Sequence, residues 1–175
     1  TPDRQKPFLV YSNRIVTRVL GTSFYIDTKT ASGKEEVSVK TGKVLVSSNE
    51  KISLKGPSII VTPNQKAIYE PERGIFEATL VETPRPILRE AAPIPVITAL
   101  SFTYDQVKLE KVFRDLSDVY GIEIIPENSN LLQCRFTGDV SDEDLFTKLK
   151  IICLTTRSNY EVQGTRILIQ GKGCD

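Results

Sequence analysis

The sequence predicts a β-rich protein of two parts: an all-β N-terminal domain, either a sandwich or a solenoid-like stack of hairpins, and a small C-terminal α+β domain with two βαβ-like units. Three observations predict this division. Short apolar–polar alternations fill the first half of the chain, a proline-containing stretch follows, and two amphipathic helical patterns occupy the remainder. A period of two is typical of half-buried strands, and a period near 3.6 is typical of helices packed on one side.

The N-terminal domain is predicted over residues 1–90 from short runs in which apolar and polar residues alternate. Glycine, proline and asparagine separate these runs and favour turns. No apolar pattern of helical length interrupts them, so we expect only strands here. The apolar members of the runs are Val37 and Val39, Val44 and Val46, Ile52 and Leu54, Ile59 and Val61, and Phe76, Ala78 and Leu80.

A proline-containing linker is predicted over residues 91–101. Pro93 and Pro95 follow Pro84 and Pro86 in the sequence. Proline lacks the N–H that a strand ladder uses and favours an extended chain. We therefore expect the domain boundary near residues 91–98.

The C-terminal domain is predicted over residues 102–175 as two strand–helix–strand units that pack both helices on one small sheet. The first helix runs from Leu109 to Tyr120 and ends at Gly121, and the second runs from Leu145 to Cys153 with Ser141 as its cap and Asp144 three residues on. An apolar stripe at helical spacing supports each helix. The predicted strands are residues 102–104, 122–125, 134–137, 160–162 and 166–169, the last two forming a hairpin.

Composition disfavours several classes of function. The net charge is +1, which does not indicate a nucleic-acid partner, and the chain has no His, so the usual general base and the commonest transition-metal ligand are both missing. No Gly-x-Ser-x-Gly motif is present. We predict a protein that is not an enzyme and needs no cofactor or metal. Lys148 and Lys150 are interpreted as a solvated helix face.

The cysteines number three, so at least one thiol stays outside any intramolecular pair. Cys153 continues the apolar stripe of the second helix and is interpreted as a buried thiol. Cys134 and Cys174 form the candidate disulfide, and Cys153 with Cys174 is the rival pairing.

Two groups of motifs resemble one protein family. Residues 6–10 (Lys-Pro-Phe-Leu-Val), 18–24 (Arg-Val-Leu-Gly-Thr-Ser-Phe) and the run from Leu54 to Ala67 resemble FecR-like anti-sigma factors, with residues 1–90 as the second half of the family's domain. Residues 102–104, 120–122, 134–138 and 171–174 resemble the C-terminal domain of Bacteroidetes members, which is similar to the short domain at the N-termini of secretins and TonB-dependent transporters.

The resemblance implies a signalling role in the periplasm. Such a protein is anchored in the inner membrane by one span, and a cytoplasmic segment, absent from this sequence, holds an ECF-type sigma factor. The periplasmic region contacts the signalling domain of an outer-membrane TonB-dependent transporter and relays substrate loading to transcription regulation. The alternative is a periplasmic glycan- or ligand-binding module without a signalling role, for which Phe24 and Tyr25 are a candidate aromatic platform.

Candidate partner contacts are placed on two predicted strand edges of the C-terminal domain. An unpaired edge can add a strand from another chain, with main-chain bonds giving affinity and nearby side chains giving selectivity. The candidate interface residues are Phe102, Thr103, Tyr104, Lys108, Glu110, Leu168, Ile169 and Gln170.

Overall fold

The computed structural model describes residues 7–30, 33–49, 56–87 and 101–174, and the chain divides into two compact units between Val81 and Glu82. The strand predicted at Ile52 and Leu54, the linker at residues 91–100 and Lys6 of the first motif lie outside the described residues. The two units are described separately below.

The described residues of the N-terminal unit form eight strands that alternate between two sheets in consecutive pairs. One sheet has the order β1-β2-β5-β6 and the other β3-β4-β7-β8, and every neighbouring pair is antiparallel. The strands are β1 (Phe8–Tyr11), β2 (Ile15–Val19), β3 (Ser23–Asp27), β4 (Glu35–Thr41), β5 (Val44–Ser48), β6 (Ser58–Val61), β7 (Gln65–Glu70) and β8 (Ile75–Leu80).

Both sheets contribute to one apolar core. Ile15, Val44 and Val61 from the first sheet and Val37 and Ala67 from the second lie in the same buried cluster. Because side chains alternate across a strand, one face of each sheet is apolar and the two faces enclose this core, as in a β-sandwich.

A tight turn at Gly42 joins β4 to β5 and passes the chain from one sheet to the other. Gly42 has φ +81°, and a Cβ atom there would lie 2.4 Å from Cγ2 of Thr22. Both the left-handed backbone and the close side chain require glycine at this position.

The C-terminal unit has the predicted order of strands and helices, but its strands form two sheets instead of one. β10 pairs in parallel with β13, which pairs antiparallel with β12, and β9 pairs antiparallel with β11. The elements are β9 (Thr103–Lys108), α1 (Leu109–Tyr120), β10 (Glu123–Pro126), a 3-10 helix (Ser129–Gln133), β11 (Arg135–Asp139), α2 (Leu145–Thr155), β12 (Asn159–Gln163) and β13 (Arg166–Gln170).

Both predicted helices are confirmed. The stripes that the sequence predicts, from Leu109 to Tyr120 and from Leu145 to Cys153, face the interior. Gly121 ends α1 with φ +64° and donates its N–H to the Ser117 carbonyl, which is the left-handed cap expected there.

The cap predicted for α2 is wrong by three residues. Asp144, not Ser141, is the N-cap, and its carboxylate accepts hydrogen bonds from the backbone N–H groups of Phe146 (2.9 Å) and Thr147 (3.1 Å). The Ser141 hydroxyl is engaged elsewhere, since it accepts from the Phe102 N–H at 2.8 Å. Either residue type can cap a helix, and tertiary contacts decide between them.

Residues 82–87, which the sequence analysis placed in the N-terminal domain and its proline stretch, pack in the C-terminal unit. We call this segment the strap. Pro84 is buried, the Ile87 N–H donates to the Val119 carbonyl at 2.8 Å, and the Ile87 side chain lies over Gly121, where a Cβ atom would be 2.4 Å from Ile87 Cδ1. The strap thus satisfies a free carbonyl at the end of α1.

Candidate interaction surface

β9 is one unpaired edge of the C-terminal unit. Among the described strands it pairs only with β11. The Phe102 carbonyl accepts a hydrogen bond from the Val140 N–H at 3.1 Å. Since inward and outward backbone groups alternate along an antiparallel ladder, the backbone of Thr103 faces away from β11. This places the Thr103 N–H, which the sequence analysis chose as a candidate contact, on the free edge.

Phe102 is an anchor of the fold and not an exposed contact. Its ring is 4% exposed, stacks on Tyr120 with centroids 6.4 Å apart, and lies 4.8 Å from Nζ of Lys148. We conclude that Phe102 positions the start of β9, while the exposed Thr103 is available to a partner.

Lys148 is buried, contrary to its interpretation as part of a solvated face. The side chain is 1% exposed, and its ammonium donates to the carbonyl oxygens of Val140, Ser141 (2.9 Å) and Glu143. Burial lowers the pKa of the ammonium, although surrounding carboxylates oppose that shift. Its three donors are matched by three acceptors, so the charge is solvated by the backbone of the loop before α2.

Tyr104 is also buried and contacts the interior. Its ring is 6% exposed and meets Phe136 edge-on at 6.0 Å. Burial raises the pKa of its phenol, and the neighbouring carboxylate of Asp115 raises it further. Tyr104 therefore stabilises the strand and is not free to select a partner.

A bulge interrupts β9 at Gln106. The register shifts between Phe136 and Gly138, and Gln106 has φ +52°, an uncommon conformation for a residue with a side chain. Thr137 Oγ1 accepts from the backbone N–H (2.9 Å) and Nε2 (3.1 Å) of Gln106. Such a bulge strengthens the local twist and limits how far a straight partner strand can follow β9.

Lys108 and Glu110, the proposed selectivity residues, are exposed but already have polar contacts. Lys108 Nζ donates to Gln133 Oε1 at 2.7 Å, and Glu110 pairs with Arg114 at 2.9 Å. Surface pairs of this kind are weak, so both side chains can exchange these contacts for a partner.

The second predicted edge, Leu168 to Gln170, is wrong. β13 is the central strand of its sheet: Leu168 pairs with Ile125 on one side and Glu161 on the other. Ile169 is likewise paired on both sides and fully buried, and Gln170 pairs with Asn159. The edges of this sheet among the described strands are β10 and β12.

A disulfide joins Cys134 to Cys174, which was the favoured pairing, and Cys153 is a buried free thiol. The tail that carries Cys174 crosses the 3-10 helix, where Asn128 Nδ2 donates to the Lys172 carbonyl at 3.3 Å. Burial raises the pKa of the Cys153 thiol and keeps it protonated. The motif at residues 171–174 therefore has a structural role, and we call the disulfide between Cys134 and Cys174 the clasp.

The N-terminal unit offers one open polar pocket, lined in part by Arg14, Lys34, Glu70 and Arg73. Glu70 accepts from Lys34 and from Arg73 (3.0 Å), so two of the three cations are already paired.

Of the proposed aromatic platform, Phe24 packs against the core and Tyr25 is exposed on the opposite face. A pair that faces two sides of a strand does not form one stacking surface.

No helix among the described residues is long and apolar enough to cross a membrane. No group of three or more potential metal ligands is found in the same residues.

One family model matches part of the C-terminal unit. Residues 101–169 match the family model described as FecR, C-terminal. Within the C-terminal unit, this match spans β9, both helices and β13 as far as Ile169, and leaves out the strap and Cys174. No curated protein matches the chain.

Two solved structures are similar to the whole chain. Both are crystal structures of a candidate anti-sigma factor from Parabacteroides distasonis ATCC 8503, at 1.65 Å and 2.50 Å resolution. Each has 22% sequence identity and a TM-score of 0.40, and each match covers 99% of this chain and 75% of the other.

Proposed function

We propose that this chain is the periplasmic signal-transducing region of a FecR-like, membrane-anchored anti-sigma factor. In this role it relays substrate loading of an outer-membrane TonB-dependent transporter to an ECF-type sigma factor, which is held by a cytoplasmic segment outside this sequence. The observation that carries the proposal is the FecR C-terminal match over residues 101–169.

The proposed contact with the transporter is the free edge of β9. Its backbone groups at Thr103 are unpaired within the described residues, and the exposed Lys108 and Glu110 lie at the far end of β9 and at the start of α1. Strand addition at such an edge gains affinity from main-chain hydrogen bonds, and the flanking charges distinguish partners. The clasp between Cys134 and Cys174 fits an oxidising compartment such as the periplasm.

Titration of the purified chain with the signalling domain of the transporter encoded beside it tests this function. We expect saturable binding that Thr103→Pro weakens about tenfold or more, because proline removes the outward N–H and leaves the pairing with β11 in place. Thr103→Ala is the matched control, since it keeps the N–H and should bind nearly as wild type. A wild-type chain that does not bind the domain would refute the proposed function.

A further inference from the structure

We propose that the free edge of β12 is a second docking site, which takes an extended segment of another protein with a basic residue between two apolar residues. The segment would add as an antiparallel strand and place its basic residue opposite Glu161. This site lies on a different sheet from β9, so it goes beyond the proposed function and does not depend on it.

β12 is a regular strand edge without the usual protection. Natural proteins guard such edges with lysine, proline or a bulge. β12 (Asn-Tyr-Glu-Val-Gln) has neither lysine nor proline, and its five pairs with β13 run without a register shift. Two of the other free edges described for this unit differ, since β10 ends in Pro126 and β9 carries the bulge at Gln106.

The hairpin geometry shows which backbone groups β12 offers. A two-residue turn, Gly164–Thr165 with Gly164 at φ +60°, joins the closing pair Gln163 and Arg166. In such hairpins the closing pair exchanges both hydrogen bonds, and bonded and non-bonded pairs then alternate. The N–H and C=O groups of Tyr160 and Val162 therefore point away from β13, toward a partner.

The side chains beside those groups form an unfinished apolar layer. Tyr160 and Val162 lie on the same face as Ile167 and Ile169, which are both 0% exposed. Tyr160 stacks on Phe146 of α2 with centroids 6.1 Å apart and planes 9° apart, while Val162 is 38% exposed at the rim. Apolar partner residues opposite Tyr160 and Val162 would continue this layer.

Glu161 sets the charge of the partner. It lies exposed on the other face, where its carboxylate contacts only the side-chain amides of Gln163 (3.3 Å) and Gln170 (3.5 Å). No lysine or arginine of the described chain forms an ion pair with it. An opposite charge on a neighbouring strand contributes roughly 0.2–1 kcal/mol, and a like charge is destabilising.

The same carboxylate disfavours a second copy of this chain as the occupant. Antiparallel pairing of two β12 strands over all five residues would place Glu161 opposite Glu161. Like charges directly opposite each other destabilise a strand pair. The edge therefore suits a different chain with a basic residue at the centre of its segment.

Two fluorescent peptides, threonine-valine-lysine-valine-threonine and its glutamate-centred counterpart, test the site on the full chain by anisotropy titration. We expect the lysine peptide to bind about three- to tenfold more tightly, and Glu161→Lys to reverse that order. Val162→Pro should abolish binding of both, because it removes an outward N–H and leaves the ladder with β13 intact. Val162→Ala keeps the N–H and should retain the lysine preference.

Thr103→Pro separates this site from the proposed function. It should leave peptide binding unchanged, while Val162→Pro should leave binding of the transporter signalling domain unchanged. Equal affinity for the two peptides, absence of binding, or peptide binding that survives Val162→Pro in a folded protein would overturn the inference. Self-association of the wild type that Val162→Pro abolishes would assign the edge to a second copy and overturn it as well.

Discussion

Among single residues, Lys148 differs clearly from its prediction, because a side chain expected in solvent is buried. The exposed Lys150 two residues later suggests a lysine-rich, solvated face, but the Lys148 ammonium donates to three backbone carbonyls and lies against Phe102. Helical spacing places Lys148 on the same buried face as Leu145 and Ile152, but it does not identify the acceptors, which come from a loop whose path is set by tertiary contacts. Lys148 thereby links the loop before α2 to the start of β9.

Replacing Lys148 by Met should destabilise the fold by about 2–3 kcal/mol, because three carbonyl groups lose a charged donor in a buried site. The measurement is the urea dependence of unfolding, followed by circular dichroism. Lys150→Met is the matched control on the exposed side of α2, and we expect it to change stability by less than about 0.5 kcal/mol. Equal midpoints for Lys148→Met and wild type would contradict this role.

Asp144 makes the stability of the C-terminal unit depend on pH. Hydrogen bonds from Thr147 and from the first N–H groups of α2 lower the pKa of its carboxyl group. Because the pKa is lower in the folded state, the stabilisation is complete above the unfolded-state pKa and disappears as the pH falls through the folded-state value.

Asp144→Ala should therefore cost about 1 kcal/mol at pH 7, and the difference from wild type should shrink below about pH 4. Urea unfolding at a series of pH values measures both effects. Asp142→Ala, a neighbouring exposed carboxylate, serves as the control. A difference that stays constant down to pH 2 would show that capping by the ionised carboxylate is not responsible.

Among the elements, the C-terminal helices were predictable and the strand pairing was not. The stripes around Leu116 and Leu149 repeat at helical spacing, and such local signals survive in the sequence. The parallel pairing of β10 with β13 depends on residues more than 40 positions apart, Glu123 and Arg166 for example. The hairpin motif predicts β12 and β13 but does not show which of the two strands lies at the edge of the sheet. The prediction therefore placed Leu168, which belongs to the central strand, on an edge.

The clasp encloses the second strand–helix–strand unit and the closing hairpin, since Cys134 precedes β11 and Cys174 follows β13 with a sequence separation of 40. Closing a loop of this length should contribute about 3–4 kcal/mol by restricting the unfolded chain. We expect the Cys134→Ser, Cys174→Ser double variant to lose that amount in urea unfolding.

Addition of reductant separates the clasp from the substitutions. Reductant should destabilise the wild type to the level of the double variant and leave the double variant unchanged. An alkylating reagent should modify Cys153 only after unfolding, because the thiol is buried. A wild type that is insensitive to reductant under denaturing conditions would contradict the pairing.

At the scale of the whole molecule, the two units divide between Val81 and Glu82, before the boundary near residues 91–98 that the prolines suggested. Proline content predicts extended chain around Pro84, but an extended segment can also pack, and here the strap covers the end of α1. Composition distinguishes extended from helical chain and does not distinguish a packed segment from a free one.

A fragment of residues 82–175 should thus be more stable than one of residues 88–175. Loss of the Ile87–Val119 hydrogen bond and of the buried Pro84 contact should cost about 1–2 kcal/mol, which corresponds to a lower Tm by roughly 4–15 °C for a unit of this size. Thermal unfolding of the two fragments measures this. Ile87→Ala in the longer fragment should give part of the loss, and equal Tm values would show that the strap adds nothing.

The clasp also makes residues 134–174 a covalent ring that contains β11, α2, β12 and β13. A protease that cuts one peptide bond inside this ring opens it without releasing either piece, since the two sulfur atoms still hold them together. A single cut in the chain before Cys134 separates the protein into two polypeptides. Where a protease cuts therefore decides whether the cleaved C-terminal portion stays tethered.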